Sequence, residues 1–222
     1  MAKVAVLVDL SFFLKRYNRV IRKRGSPPDT AATVAKCVWD TAIQHLDRKS
    51  DELYRILVYD CRPFEKKVHH PITGKAIDFA KSDQAKFRHA LNNELKQKRK
   101  LALRLGDLRD GRRWQFHGPV VKGLLNGELD VGKIGDDDVF YDLKQKGVDI
   151  KIGIDIASLA LKKMVDRIVL ITGDADFVPA AKLARREGID IVLDPLWNPI
   201  SPDLHEHIDG LHSVWKKPAI IR

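Results

Sequence analysis

The sequence has little cysteine and no long apolar run. Its only cysteines are Cys37 and Cys61, and nothing in it points to an export route that would pair them, so we expect reduced thiols and a cytoplasmic location. Apolar runs such as Ile168 to Ile171 have the length of a strand, and no transmembrane helix is predicted. Asp9 interrupts the apolar N-terminus, which favours a first strand over a signal peptide.

Repeats, low-complexity tracts and Gly/Ser linkers are also missing. We therefore predict one domain over residues 1–222, with a basic insert at about 62–135 and a C-terminal helical tail at about 196–222. A chain of this length can bury a substantial core. Its 44% hydrophobic and 32% charged residues are typical of a folded globular protein rather than a disordered one.

Strand-like and helix-like segments alternate along the chain. The predicted elements are, in order, strand Val4 to Val8, helix Phe12 to Arg24, a helix capped by Asp29, strand Tyr54 to Tyr59, a helix capped by Ser82, strand Leu101 to Leu105, helix Val139 to Lys146, strand Val148 to Ile154, a helix from Asp155, strand Arg167 to Ile171, helix Phe177 to Glu187 and strand Ile189 to Leu193. Such alternation implies parallel pairing with right-handed crossovers. The predicted fold class is α/β, a three-layer Rossmann-like fold with a mainly parallel central sheet flanked by helices.

The chain is basic, with 40 Lys and Arg against 30 Asp and Glu and a formal net charge of +10. The stretch from Lys81 to Arg113 holds eleven basic and four acidic residues, which makes it the candidate surface for a polyanion. Nearby aromatic rings could stack on unpaired bases. The residues predicted to bind nucleic acid are Lys96, Lys98, Arg99, Lys100, Arg104, Arg112, Arg113 and Trp114. The alternative, a solvated helix face beside two core aromatics, is slightly favoured by charge density alone.

Aspartates collect where the predicted strands end. They are Asp9, Asp60, Asp155, Asp174 with Asp176, and Asp194. A single Asp at such a junction is usually a helix cap, but ligands of doubly wound sheets bind at this edge. Carboxylates held together there would repel one another unless a cation neutralised them. Oxygen ligands favour Mg²⁺ or Mn²⁺, and both ions suit phosphodiester hydrolysis.

Three segments, 6–13, 146–155 and 171–179, resemble the NYN domain, specifically the LabA-like branch of the PIN-like nuclease superfamily. The resemblance implies a Rossmann-like sheet, an acidic pocket for Mg²⁺ or Mn²⁺, and hydrolysis of RNA. By motif, the catalytic and metal-binding residues would be Asp9, Asp155, Asp174 and Asp176. Supporting or phosphate-contacting residues would be Thr172, Ser11, Asp60 and Asp149. Many members carry Gly and Asn shortly after the first Asp, whereas this chain has Leu10, Ser11 and Phe12.

Two other functions remain open at this point. One is an RNA-binding module with weak or no catalysis, whose affinity comes from the 96–100 run and Arg104. The other is a haloacid-dehalogenase-like phosphatase, which ranks low because Ser11 stands where that family needs an Asp as general acid. His205 and His207 lie two apart on a predicted helix, so they point to different faces and do not predict a metal site. The partner expected is single-stranded RNA, and a homodimer is left open.

Overall fold

The computed structural model describes residues 1–22 and 25–218 and has a mixed α/β architecture. Its strands are β1 (Ala2–Asp9), β2 (Asp51–Cys61), β3 (Lys67–His69), β4 (Ala76–Asp78), β5 (Leu101–Phe116), β6 (Val139–Lys146), β7 (Arg167–Ile171), β8 (Asp190–Asp194) and β9 (Gly210–Leu211). Its helices are α1 (Leu10–Val20), α2 (Ala31–Gln44), α3 (Asp83–Lys96), α4 (Gly118–Leu125), α5 (Val148–Leu161), α6 (Val178–Arg186) and α7 (Pro202–Glu206). Within the described residues, no helix is long and apolar enough to cross a membrane.

The central sheet has seven strands in the order β6-β5-β2-β1-β7-β8-β9. All neighbours pair in parallel except β5 and β6, which are antiparallel. This confirms the predicted fold class of a mostly parallel sheet flanked by helices. The parallel strands β2, β1, β7 and β8 all end at one edge, which we call the carboxyl edge.

Both faces of the sheet are covered. Val4, Val6 and Val8 pack against α1, α2 and α3, whereas Ala5 and Leu7 pack against α5 and α6. A strand that is buried on both faces has a continuous apolar sequence, which is why β1 could be predicted from the sequence. Asp9 is the first polar residue after that run, and α1 begins directly behind it.

Two neighbouring elements were predicted with the wrong secondary structure. Residues 139–146, predicted as a helix, form the strand β6, and residues 148–154, predicted as a strand, belong to the helix α5. Apolar residues alternate along 148–154, but Ile150 and Ile154 are 65% and 58% exposed. The buried residues are Val148, Ile152, Ile156, Leu159 and Ala160. They recur at helical spacing, so the correct period becomes visible only over the longer window.

Smaller corrections concern element ends. Helix α1 ends at Val20, and the predicted end at Arg24 lies outside the described residues. The N-cap of α2 is Thr30, not Asp29, whose carboxylate accepts a hydrogen bond from the Tyr17 hydroxyl at 2.9 Å. The cap of α3 is Ser82, as predicted.

Strand β5 continues beyond the predicted segment 101–105 to Phe116. Residues 107–116 pair with β6, and we call these two segments the β5–β6 ribbon. The segment predicted as a basic insert supplies α3 and β5, and β5 pairs with β2 inside the central sheet. The division into a domain, an insert and a tail stays a prediction, and residues 219–222 of the tail lie outside the described residues.

Candidate functional site

Asp9 ends β1 and caps α1. Its carboxylate accepts a hydrogen bond from the Phe12 amide at 3.0 Å, which fixes the side chain at the start of the helix. In the sheet, Asp9 lies beside Tyr59 of β2, and the half-buried carboxylate faces the carboxyl edge. The structure therefore places Asp9 where the sequence predicted it.

The loop after β7 carries Asp174 and Asp176. The carboxylate of Asp174 accepts from the Asp176 amide at 3.0 Å, and the buried Thr172 hydroxyl accepts from the Asp174 amide at 3.3 Å. A Cβ atom at Gly173 would lie only 2.8 Å from the Phe12 ring. Because glycine allows this close approach, the loop packs against the start of α1 and so against the element that Asp9 caps.

Asp149 approaches the same edge from α5. Gly147 has a φ of +81°, a left-handed conformation that few residues other than glycine adopt. It turns the chain from β6 into α5, and Asp149 is the second residue of that helix. The sequence analysis gave Asp149 only a supporting role, whereas the structure brings it to Asp9 and Asp174.

The electrostatics show that these carboxylates interact. Burial raises the pKa of Asp9 above its ordinary value of 3.8, the Phe12 amide partly opposes this, and the charges of Asp149 and Asp174 raise the pKa further. The pKa of Asp149 is also raised, first by burial and then by the charges of Asp174 and Asp176. We call Asp9, Asp149, Asp174 and Asp176 the aspartate cluster.

The donor atoms of the cluster are carboxylate oxygens, which are the ligands that a hard cation prefers. Within this group, which lies wholly in the described residues, no three carboxylate oxygens from different residues come within 4.8 Å of one another. Mg²⁺ usually retains several waters and takes only one or two carboxylates directly. The donor chemistry of the aspartates suits an ion of the Mg²⁺ or Mn²⁺ type, but three of them do not come close enough to share one through direct contacts.

Asp155 does not join the cluster. It follows Asp149 by six residues on α5, which places it about 9 Å further along the helix and on another side. Its carboxylate accepts a hydrogen bond from the buried Tyr59 hydroxyl at 2.8 Å and pairs with Arg104 at 3.1 Å. The predicted position at the end of a strand was wrong because residues 148–154 are helical.

Two supporting residues lie on the β2 side of Asp9. Asp60 is 2% exposed and accepts from Arg88 at 2.7 Å. Burial raises the pKa of Asp60, and Arg88 partly offsets this. The Ser11 hydroxyl accepts a hydrogen bond from the Gln145 amide at 2.6 Å. Asp194, also predicted at this edge, is fully buried and accepts from His45 and Ser213.

The basic residues predicted to bind RNA fall into separate places. The 96–100 run lies just before the start of β5. The pairing of β5 with β2 begins at Leu101 and Ile56 and reaches the carboxyl edge at Gly106 and Cys61. Five residue steps of about 3.3 Å place the run about 17 Å from the carboxyl edge. Lys96, Lys98, Arg99 and Lys100 are thus at the opposite edge of the sheet from the aspartate cluster.

Several of the other predicted RNA-binding residues make internal contacts. Arg104 pairs with Asp155, and Arg113 pairs with the buried Asp142 at 3.0 Å. The Trp114 indole donates to the His69 carbonyl at 3.0 Å, and its ring packs against His70 and Tyr141. Trp114 is therefore part of an aromatic cluster. Arg112 is exposed at a bulge of the β5–β6 ribbon, with a φ of +53°.

The ribbon offers cations that the sequence analysis did not select. Arg109 lies directly opposite Lys144, and both are exposed. Like charges on opposed positions of a strand pair are unfavourable, and Asp110 and Asp142 line the same pocket as these two cations. The signal was absent from the sequence because it depends on the register of two strands, one of which had been predicted as a helix.

The C-terminal histidines remain separate from the cluster. Asp203, Glu206 and His207 come close enough to one another to share an ion. His207 lies 3.3 Å from the Asp203 carboxylate, and both acids are exposed, as is common on a protein surface without a metal. His205 is not part of this group.

These observations define an α/β protein with an aspartate cluster at the carboxyl edge of a mostly parallel sheet. Residues 133–205 match the NYN domain, the family that the sequence motifs resemble. The match contains Asp149, Asp174 and Asp176. Asp9 lies outside it and joins the cluster through the fold.

Other comparisons are more distant. The crystal structure of a protein of unknown function from Vibrio parahaemolyticus is similar over 97% of this chain and 94% of that one, with 14% identity and a TM-score of 0.47. No curated protein matches the chain.

Proposed function

We propose that this protein is a divalent-metal-dependent ribonuclease that hydrolyses phosphodiester bonds of single-stranded RNA. The observation that carries the proposal is the meeting of Asp9, Asp149 and Asp174 from three separate elements, with charges that raise the pKa values of two of them. Keeping like charges together costs stability. The NYN domain of residues 133–205 supports a nuclease or another RNA-related role.

The aspartate cluster would hold Mg²⁺ or Mn²⁺. When bound, such an ion supplies a polarised water for attack and stabilises the leaving oxygen. The Phe12 amide holds the Asp9 carboxylate in one orientation. The buried Thr172 hydroxyl fixes the backbone of the Asp174 loop. The first amides of α5, beside Asp149, favour the negative charge of a phosphate.

The RNA would cross the carboxyl edge and continue along the β5–β6 ribbon. Arg109 and Lys144 provide a pair of exposed cations there, and their mutual repulsion falls when a phosphate lies between them. The cytoplasmic location expected from the sequence stays a prediction. The LabA-like branch and a homodimer stay predictions.

The decisive test compares two aspartates of the same helix. With single-stranded RNA and Mn²⁺, Asp149→Asn should lower the cleavage rate at least about 100-fold, whereas Asp155→Asn should retain cleavage. Circular dichroism should show that both variants are folded. Cleavage that survives in EDTA, or an Asp149→Asn variant as active as the wild type, would refute the metal-dependent mechanism.

A second candidate function is RNA binding with little or no catalysis. It is favoured by the spacing of the cluster, in which no three oxygens come within 4.8 Å, and by Phe12, whose ring packs on Gly173 beside Asp9. Tight, salt-sensitive RNA binding without product after prolonged incubation with Mn²⁺ would select this function over the first.

A further inference from the structure

A pocket of about 150 Å³ opens beside the aspartate cluster, at the end of β2. It is bounded by the residues that follow Asp60, by the first turn of α3 and by the β5–β6 ribbon. Its apolar walls are formed by Phe64, Phe79, Leu108 and Leu143. The aspartates and the motifs that resemble the NYN domain do not line it, apart from Asp60 at its base, so it is a separate feature of this edge.

The aromatic wall is held in place by packing. Phe64 and Phe79 meet edge to face with ring centroids 5.2 Å apart, and Tyr141 stacks on Phe64 at 5.6 Å. The Tyr141 hydroxyl donates to Asp110 at 2.6 Å, which fixes that ring in turn. Rigid aromatic walls suit a flat, apolar ligand, because little side-chain entropy is lost when the ligand binds.

Polar groups complete the lining. Gln84 is exposed at the start of α3, and Gln145 lies on the ribbon side of the pocket. An amide carries both donors and acceptors, as the edge of a nucleobase does. Arg88 also lines the pocket, and its pairing with the buried Asp60 at 2.7 Å fixes the guanidinium there. A few placed polar groups among apolar walls are typical of small-ligand sites.

The pocket lies near the cluster, and neighbouring residues link the two. Gln145 donates to Ser11 at 2.6 Å, and Ser11 is two residues from Asp9. Asp60 follows Tyr59, the neighbour of Asp9 in the sheet, and adjacent strands are about 4.8 Å apart. An RNA chain with one phosphate at the cluster therefore has an adjacent base within reach of the pocket.

We propose that this pocket receives one unpaired nucleobase of the RNA, adjacent to the cleaved phosphodiester, and so gives the enzyme a base preference. This inference rests on the proposed ribonuclease function. The aromatic walls contact the faces of the base, and Gln84 contacts its edge at the mouth.

The test has two readouts. The first maps the cut sites of the wild type in single-stranded RNA of mixed sequence with Mn²⁺. The second measures binding of the four nucleoside 5′-monophosphates in EDTA, which requires no catalysis. We expect one nucleotide position next to the cut to show a base bias, and the monophosphate of that base to bind most tightly.

Leu143→Trp fills the pocket. This variant should bind that monophosphate about tenfold more weakly or worse, equivalent to about 1.4 kcal/mol, and its cut sites should show a smaller base preference. Gln84→Ala lies at an exposed helix position, where the substitution should not affect folding. It should change the order of affinity for the four monophosphates and lower the affinity for the preferred one a few-fold. Phe140→Trp is the matched control, since it enlarges an exposed residue of the same strand outside the pocket.

The outcomes separate the two proposals. Cleavage without base bias, together with equal monophosphate binding by wild type and Leu143→Trp, would overturn the pocket and leave the nuclease intact. Absence of cleavage by the wild type, with monophosphate binding that Leu143→Trp abolishes, would overturn the nuclease and retain the pocket as a base site. A ranking unaffected by Gln84→Ala would remove the edge contact from the proposal.

Discussion

Asp9 has two opposed effects on stability. Its carboxylate caps α1 by accepting from the Phe12 amide, which is favourable. The same carboxylate is half-buried beside Asp149 and Asp174, and this environment raises its pKa above 3.8. The folded chain thus takes up a proton at Asp9 more readily than the unfolded chain, and the ionised form lowers the stability of the fold at neutral pH.

This opposition predicts that Asp9→Asn raises the melting temperature at pH 7 in EDTA. Asparagine caps a helix about as well as aspartate, and it carries no charge. The advantage should shrink as the pH falls through the raised pKa and vanish below about 3.8, where Asp9 is protonated in both states. Thermal unfolding of both proteins across this pH range measures the difference in melting temperature. A shift of about 2–4 °C corresponds to 1 kcal/mol of unfolding free energy.

The matched control is Asp137→Asn, an exposed aspartate on the loop before β6. Its melting temperature should follow that of the wild type at every pH. Added Mn²⁺ should stabilise the wild type more than Asp9→Asn, because only the wild type retains the full ligand set. An Asp9→Asn protein that is less stable than the wild type at pH 7 in EDTA would contradict this account of Asp9.

The start of helix α5 shows how Gly147 positions Asp149. Gly147 has a φ of +81°, and a Cβ built there meets nothing within 4 Å. Any cost of substitution therefore arises from backbone conformation and not from a clash. Gly153 lies in the interior of the same helix, also without neighbours within 4 Å and without a positive φ.

We predict opposite effects for the two substitutions. Gly147→Ala should destabilise the protein by about 1–2 kcal/mol and lower RNA cleavage, because the turn that directs Asp149 is strained. Gly153→Ala should stabilise it by about 0.5–1 kcal/mol and leave cleavage unchanged. Urea unfolding and a cleavage assay on both variants test this, and a Gly147→Ala protein as stable as the wild type would show that the turn does not constrain α5.

The same helix marks the limit of prediction from sequence. Strand β1 was predictable because Val4 to Val8 is apolar throughout, and Asp9 and Asp174 followed from the ends of β1 and β7. Because residues 148–154 were predicted as a strand, Asp155 was expected at its carboxyl end and Asp149 was given only a supporting role. Packing against the sheet buries Ile152 and Ile156 and leaves Ile150 and Ile154 in solvent. The alternating apolar residues of 148–154 alone do not indicate which of these isoleucines is buried.

At the scale of the whole molecule, the excess positive charge is not concentrated at one site. The 96–100 run lies at the edge opposite the aspartate cluster, whereas Arg109, Arg112 and Lys144 lie on the β5–β6 ribbon at the carboxyl edge. The density of charge in the sequence pointed to the first group because it is contiguous. The fold favours the second, since its cations come from two strands and extend from the edge that holds the cluster.

We predict that position, and not total charge, determines RNA affinity. One triple variant replaces Arg109, Arg112 and Lys144 by Gln, and the matched variant replaces Lys96, Lys98 and Arg99 by Gln. Each lowers the net charge of +10 by three. Arg113 is left intact because it pairs with the buried Asp142, and its removal would leave a carboxylate without its partner.

For a single-stranded RNA too short to reach both edges, the ribbon variant should bind more weakly. Its plot of log affinity against log salt should flatten by about 2, since each phosphate contact to a single strand contributes about 0.7 to the slope. The matched variant should retain the wild-type slope. A wild-type slope for both variants would mean that the ribbon does not contact the RNA backbone. A flatter slope for the matched variant alone would place the RNA path at the opposite edge, away from the aspartate cluster.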